Sequence, residues 1–347
     1  MIVVFIVVFL VVASMGLGYT LVQLNKKSSN CDALKSTMPA LASMSPKEIR
    51  SRRPLRDFSI KSSYNSCASG SRINDYVDLC ALDNAILQGC RFLDFEIYNE
   101  DGAPVVAVSD SDSYFQKGSY NSLPLDQVLK TVAEKAFSNT YCPNPNDLLI
   151  LCFRVKTSDV LVLNEMASLV AEHFSTRLLH IKHSYENQGK NLGQLSLSNL
   201  LGKVIIMADK KNPAVEDSKF KEYINIGINT PFVRLMTYDD VAHTPDMTEL
   251  LGFNQQNVTI SIANKGETAN YDSAIMQNFG VQICAMSMQI KDDNLAKYNE
   301  FFSSKAFVMR DEKFNYKPVK MPNPPPLNKA DGFVENTHSG SNFDFVL

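Results

Sequence analysis

Tryptophan is absent from this chain, and histidine is scarce: five residues in 347. Imidazole chemistry is therefore confined to His173, His180, His183, His243 and His338. No C-x-x-C pair occurs among the seven cysteines, Cys31, Cys67, Cys80, Cys90, Cys142, Cys152 and Cys284. Their spacings match no zinc-ligand pattern. Neither sign of charge is in strong excess. The 34 basic and 37 acidic residues leave a formal net charge of −3, which excludes the strong basic footprint of a nucleic-acid binder. What the chain does have is apolar mass. Hydrophobic residues make up 45% and charged residues 20%, enough to bury a sizeable core.

Cys90, Cys152 and Cys284 sit in apolar runs and read as small buried hydrophobes. A Cys67–Cys80 bridge is open to the chain if it faces an oxidising space. The odd cysteine count leaves at least one thiol free, so the redox compartment stays undecided.

From Ile2 to Val22 the chain carries no charge and is dominated by Ile, Val, Phe and Leu. About 20 apolar residues suffice for a spanning helix. No Lys or Arg precedes the run, and it is longer than the ~7–15 residues of a signal-peptide core. The reading is an uncleaved transmembrane anchor over residues 1–24, so the first expected partner is a lipid membrane. A cleaved signal, giving a secreted headgroup-binding module that begins near residue 25–31, is the competing reading. Lys26 and Lys27 come directly after the run, then Lys35, Lys47, Arg50, Arg52 and Arg53. The positive-inside rule then places the body on the cytoplasmic side. The sequon Asn257-Val258-Thr259 would carry a glycan only on the other side.

Residues 25–53 read as a juxtamembrane linker, with a short helix starting at Ser45-Pro46. From 54 onward strand-like runs alternate with helical stretches, the pattern of βα repetition. The expected strands are 58–60, 92–98, 105–108, 148–155, 203–208, 258–263 and 282–286. The expected helices are 75–88, 125–136, 159–174 and 294–302. The natural closure is a TIM-type (β/α)8 barrel, with its chemistry at the C-terminal ends of the strands. Residues 209–231 are polar and weakly patterned and read as a linker between half-barrels. The halves then run over about 54–208 and 232–318. Residues 319–347, with the run Met321-Pro322-Asn323-Pro324-Pro325-Pro326, read as a flexible, Pro-rich tail that a protein partner could bind.

Five segments in order carry a family resemblance. They are Pro54–Ser66, Leu87–Glu96, Gly102–Val106 with the residues just after it, Leu200–Ile206, and Lys265-Gly266 through Gln289. Tyr316-Lys317-Pro318 echoes a closing motif. Together they resemble the X and Y half-barrels of phosphoinositide-specific phospholipase C. In that family two histidines move protons, calcium neutralises the phosphorane, and Lys and Arg hold the phosphates. The resemblance puts Tyr64 at the first histidine and Val108 at the second, with Ser109 or Asp110 one or two residues on. None of the five histidines falls in a matching segment. Of the calcium ligands, Asn65 is retained, Asp94 and Glu96 exchange acids, and the last position falls on Arg154. The phosphate-holding lysines are displaced to Lys210 and Lys211, and the family's arginine falls on Ser261. Asp110, Lys210, Lys211, Ser261 and Tyr271 remain as possible ligand contacts.

These losses imply a catalytically inactive, membrane-anchored barrel with a structural or binding role, without a metal or other cofactor. An ion cluster of Arg154, Asp94 and Glu96 is expected where calcium would sit, because two inward carboxylates need a partner. A protein partner at the barrel mouth is a further expectation. Stripped copies of host enzymes are a habit of large viruses, so a virion membrane protein would fit. The alternative is an active, calcium-independent phosphodiesterase that uses Asp110 as base and Arg154 in place of the metal.

Overall fold

A single long helix, α1 (Ile2–Leu34), opens the chain, and α2 (Pro46–Arg50) comes next. Ser45 caps α2 through a capping box with Glu48, and Pro46 occupies the first turn, where its missing N–H costs nothing. This is a computed structural model. It describes residues 2–110, 116–184, 191–209, 212–317, 337–340 and 343–346.

Strand β1 (Phe58–Ser63) leads to α3 (Leu79–Leu87), capped by the Asp78 side chain. Gly89 lies just beyond in the left-handed region, φ +80°, where glycine ends a helix without a Cβ clash. Next come β2 (Phe92–Glu100), β3 (Ala103–Ala107), β4 (Leu123–Pro124), α4 (Leu125–Lys135), β5 (Leu149–Val155) and α5 (Val160–Phe174). Helix α4 buries Leu125, Val128, Leu129 and Val132, one stripe at helical spacing. The chain continues through β6 (Val204–Asp209), α6 (Pro213–Asp217), β7 (Ile226–Ile228), β8 (Val233–Thr237), α7 (Tyr238–Ala242), α8 (Met247–Gln256), β9 (Val258–Ile262), α9 (Ser273–Asn278), β10 (Ile283–Met286), α10 (Asp293–Phe301) and β11 (Phe307–Met309).

Eight of these strands form one parallel sheet in the order β7-β6-β5-β2-β1-β10-β9-β8. The ends β7 and β8 meet only through an isolated bridge, Thr230 with Val233, so the barrel is nearly closed. This is the TIM-type architecture read from the sequence. The strands are covered on both faces, which is why β5 and β6 read as continuous apolar runs.

Four readings are corrected. The 105–108 strand is not a barrel strand: β3 pairs antiparallel with β2 as a hairpin outside the ring. The supposed linker 209–231 contributes α6 and β7, and β7 continues the sheet from β6. The juxtamembrane segment 25–53 is no free linker. Helix α1 runs unbroken to Leu34, and Leu41 and Met44 enter the core. The bridge is Cys31–Cys80, not Cys67–Cys80, and Cys67 is buried and free.

The compact unit ends at Asn315. Residues 316–347 form a separate unit. Its described part contains a hairpin of β12 (Thr337–Gly340) and β13 (Phe343–Val346), where flexible chain was expected. The proline run 321–326 lies outside the described residues.

Candidate functional site

Strand register builds the site. Tyr64 and Asn65 come directly after β1, whose register sets Ser62 against Phe92 and Ser63 against Leu93. Glu96 pairs with Arg154 across β2 and β5, and Asp94 pairs with Cys152. Alternation then points Asp94, Glu96, Cys152 and Arg154 to one face. All four positions that the resemblance assigns to metal ligands meet there. Arg154 Nε donates to Asp94 Oδ1 at 2.9 Å, and Nη2 donates to Asp94 Oδ2 at 2.6 Å. Arg154 Nη1 donates to Glu96 Oε1 at 2.6 Å, and Nη2 also donates to Asn65 Oδ1 at 2.6 Å.

The remaining acceptors are filled by neighbours. The Asn65 amide donates to Asp94 Oδ2 at 2.9 Å, and the Tyr98 hydroxyl donates to Glu96 Oε2 at 2.7 Å. Asn65 holds φ +45°, a left-handed turn that asparagine tolerates and that aims its amide oxygen at the guanidinium. Both carboxylate side chains are 2% exposed and Arg154 12%, so the cluster is nearly dry. Burial works against the Arg154 charge, yet Asp94, Tyr64 and Glu96 outweigh it and hold the guanidinium firmly protonated.

Tyr64 lies buried against the same group. The Arg154 guanidinium carbon stands 4.8 Å from its ring centroid and that of Arg72 5.4 Å, both within cation–π range. Burial pushes the Tyr64 phenol up, with Arg154 pulling the other way, and the net direction is upward. The phenol therefore stays protonated at neutral pH. Val108 is buried, and its carbonyl accepts from Gly118 N at 2.7 Å and Ser119 N at 3.1 Å. It anchors a turn and offers no titratable group.

Asp110 is held by a residue that sequence reasoning missed. Arg72 Nε donates to its Oδ1 at 3.0 Å, and the Gly266 amide donates to its Oδ2. Arg72 also donates to the carbonyls of Asn264 and Glu267, clamping the Lys265-Gly266 turn to the mouth. Arg72 stands in no recognised motif, and its position beside Asp110 is a purely tertiary fact.

A cleft of about 240 Å³ opens over the cluster. Tyr64, Glu96, Asp110, Arg154, Lys156, Asp240 and Lys265 line it, together with the apolar Leu235, Met236 and Ile262. The expected contacts Ser261 and Tyr271 do not line it. Ser261 alternates with Ile260 and Ile262 and so turns to the helices, where its Oγ donates to Met276 Sδ at 3.2 Å. The Tyr271 hydroxyl is spent on the carbonyls of Ser261 at 2.8 Å and Ala285 at 3.2 Å. Lys210 and Lys211 lie outside the described residues. His173, His180, His183 and His243 are not at the cleft either, and His338 belongs to the separate C-terminal unit.

Comparison with known proteins agrees with this fold. Residues 51–210 match the family model for the phosphatidylinositol-specific phospholipase C X domain. The barrel has the phospholipase C fold. Solved structures support it across both halves. The crystal structure of L. pealei PLC21 superposes with a TM-score of 0.60 at 16% identity, over 82% of this chain and 39% of that one. That of S. officinalis PLC21 gives 0.62 at 16% identity, over 88% of this chain and 40% of that one. The chain thus spans about two fifths of these phospholipase C structures. No curated protein sequence matches it.

Proposed function

We propose that this chain is a membrane-tethered phospholipase C-like barrel that has given up phosphodiester cleavage and serves as a binding or structural module. One observation carries the reading: the Arg154 guanidinium is bonded to Asn65, Asp94 and Glu96 together. These are the oxygens a calcium ion would use. A divalent cation there would meet a fixed positive charge, so the donor set does not fit calcium.

Proton transfer is equally poorly served. A protonated, buried phenol at Tyr64 cannot accept a proton at neutral pH, and Val108 has none to give. Asp110 lies in the same cleft, but Arg72 and the Gly266 amide occupy both its oxygens. Positioned acid and base groups contribute about 10²–10⁴ each in rate. The cleft, at about 240 Å³, is smaller than the roughly 300–1,000 Å³ usual for small-molecule sites. Its mixed lining of Lys156, Lys265 and Asp240 suits a polyol or acidic headgroup fragment, or the side chain of a protein partner.

The tether is α1. Its span Val4–Leu34 is long and apolar enough to cross a membrane by length and composition, a test that a signal sequence passes too.

The deciding assay incubates the purified full-length chain with vesicles of phosphatidylinositol or its bisphosphate, with and without calcium. No turnover above the lipid blank is expected. Turnover that Arg154→Ala abolishes would overturn the reading and establish a calcium-independent phosphodiesterase.

A further inference from the structure

Helix α1 does not end at the apolar run. It continues as a docked arm down the outside of the barrel, and its contacts advance in step with the barrel segment beside it. Lys26 Nζ meets the Asn74 carbonyl at 3.1 Å and Asp75 at 2.9 Å. Lys27 pairs with Asp78 at 3.2 Å, Asn30 Nδ2 donates to Asp75 Oδ1 at 2.8 Å, and Cys31 is bridged to Cys80. Ser36 then donates to Asn84 Oδ1 at 2.7 Å. The barrel segment runs from the loop after β1, at the mouth, down α3. Helix α1 therefore descends from the mouth, and its first two dozen residues project beyond it. Nearer the N-terminus of α1, the hydroxyls of Tyr19 and Tyr120 lie 3.2 Å apart.

Length then sets the level. From Tyr19 back to Ile2 the helix rises about 26 Å at 1.5 Å per residue, close to the roughly 30 Å hydrocarbon core of a bilayer. The near membrane surface thus falls at about Tyr19–Val22, level with Tyr120 and one turn above Lys26. Ile73 and Tyr120, 48% and 43% exposed, stand at that rim.

The covalent and charged contacts speak to the side of the membrane. The half-exposed pair Cys31 and Cys80 is joined, while Cys67, Cys90, Cys142, Cys152 and Cys284 are all buried and free. A disulfide between accessible thiols with every other thiol shielded is the pattern of an oxidising compartment. The flanking Lys26 and Lys27, which suggested the cytoplasmic side, have a structural use. Lys26 neutralises Asp75, whose side chain is only 3% exposed.

We propose that α1 is a rigid strut that carries the barrel on the disulfide-forming, non-cytosolic face of the membrane, with Ile73 and Tyr120 against the lipid headgroups of that leaflet. The inference rests on the membrane tether proposed above. The cleft then opens toward the same leaflet, and whatever enters it approaches along the membrane surface.

The absence of tryptophan supplies the test. Full-length chain carrying Ile73→Trp or Tyr120→Trp is placed in phosphatidylcholine vesicles brominated near the headgroup. Tyr141→Trp, in the α4–β5 connection at the opposite end of the barrel, is the control. Quenching at least twofold stronger at 73 and 120 than at 141 is expected, as is protection of the barrel from protease in sealed microsomes. Equal quenching at the three positions, digestion of the barrel, or free thiols at Cys31 and Cys80 in membrane-derived protein would each overturn the strut. Carbonate extraction and the N-terminal residue separate the two claims. A chain released by carbonate and starting near residue 19 or later removes the tether itself. A chain that stays in the membrane with its barrel digested removes only the placement.

Discussion

Arg154 grips Asp94 with two parallel hydrogen bonds, Nε to Oδ1 at 2.9 Å and Nη2 to Oδ2 at 2.6 Å. This bidentate geometry joins strand β5 to strand β2 at the mouth of the barrel, and the same guanidinium reaches Glu96 and Asn65. Planar donors matched to a carboxylate make such a contact specific as well as strong.

Its removal leaves two buried carboxylates without a cation. Arg154→Ala should destabilise the fold by about 3–5 kcal/mol, the cost of breaking a buried pair from one side. Chemical denaturation of the full chain measures this. A loss below about 1 kcal/mol would mean that water replaces the guanidinium at no great cost.

Exchanging the cation for a third carboxylate should reverse the metal preference. Arg154→Glu is expected to be unstable alone and to be rescued by calcium, since Asn65, Asp94, Glu96 and the new acid supply hard oxygen donors. Saturation at 100 times the dissociation constant corresponds to about 2.7 kcal/mol of stabilisation. The unsubstituted chain should show no thermal shift with calcium. A shift in the unsubstituted chain, or none in the variant, counts against the proposal that Arg154 takes the place of a metal.

Asp57 provides a pH signature. Burial pushes its carboxyl above the ordinary value, with Arg310, Arg56 and Arg53 pulling it back in part, and its Oδ1 has no hydrogen-bond partner. A raised folded-state pKa means that the folded chain holds the proton more tightly than the unfolded one. The contribution is favourable below the unfolded value of about 3.9 and is lost as pH rises through the folded value. Asp57→Asn should therefore gain stability relative to the unsubstituted chain between pH 4 and pH 7. Parallel stability curves across that range would show that Asp57 does not titrate differently on folding.

The bridge between Cys31 and Cys80 closes a sequence separation of 49 residues. Loop-closure entropy sets its worth at about 4 kcal/mol. Cys80→Ser should lower the melting temperature and free α1 from the barrel flank, read as protease cleavage between residues 23 and 40. An unchanged cleavage pattern would show that Lys26, Lys27 and Asn30 hold the arm without the bridge.

The barrel was legible in the sequence wherever a strand is buried on both faces. Leu149–Val155 and Val204–Asp209 announce themselves as apolar runs because helices cover one side and the barrel interior the other. Strand β7 was missed because three residues make no run, and β8 because Arg234 and its neighbours are only half buried. The charge cluster was legible for a local reason. Asp94 and Glu96 lie two apart on one strand, and two inward carboxylates require a cation.

By itself, the sequence determined the barrel, the non-imidazole residues at Tyr64 and Val108, and the presence of a long apolar helix. These are properties of residue identity, burial and period, which act over a few neighbours. The tertiary structure alone decided that Arg72 clamps Asp110, that Ser261 and Tyr271 turn away from the cleft, and that Cys31 pairs with Cys80. Each of these depends on which residues the tertiary fold brings together across 10 to 49 positions of chain, and no local pattern encodes that.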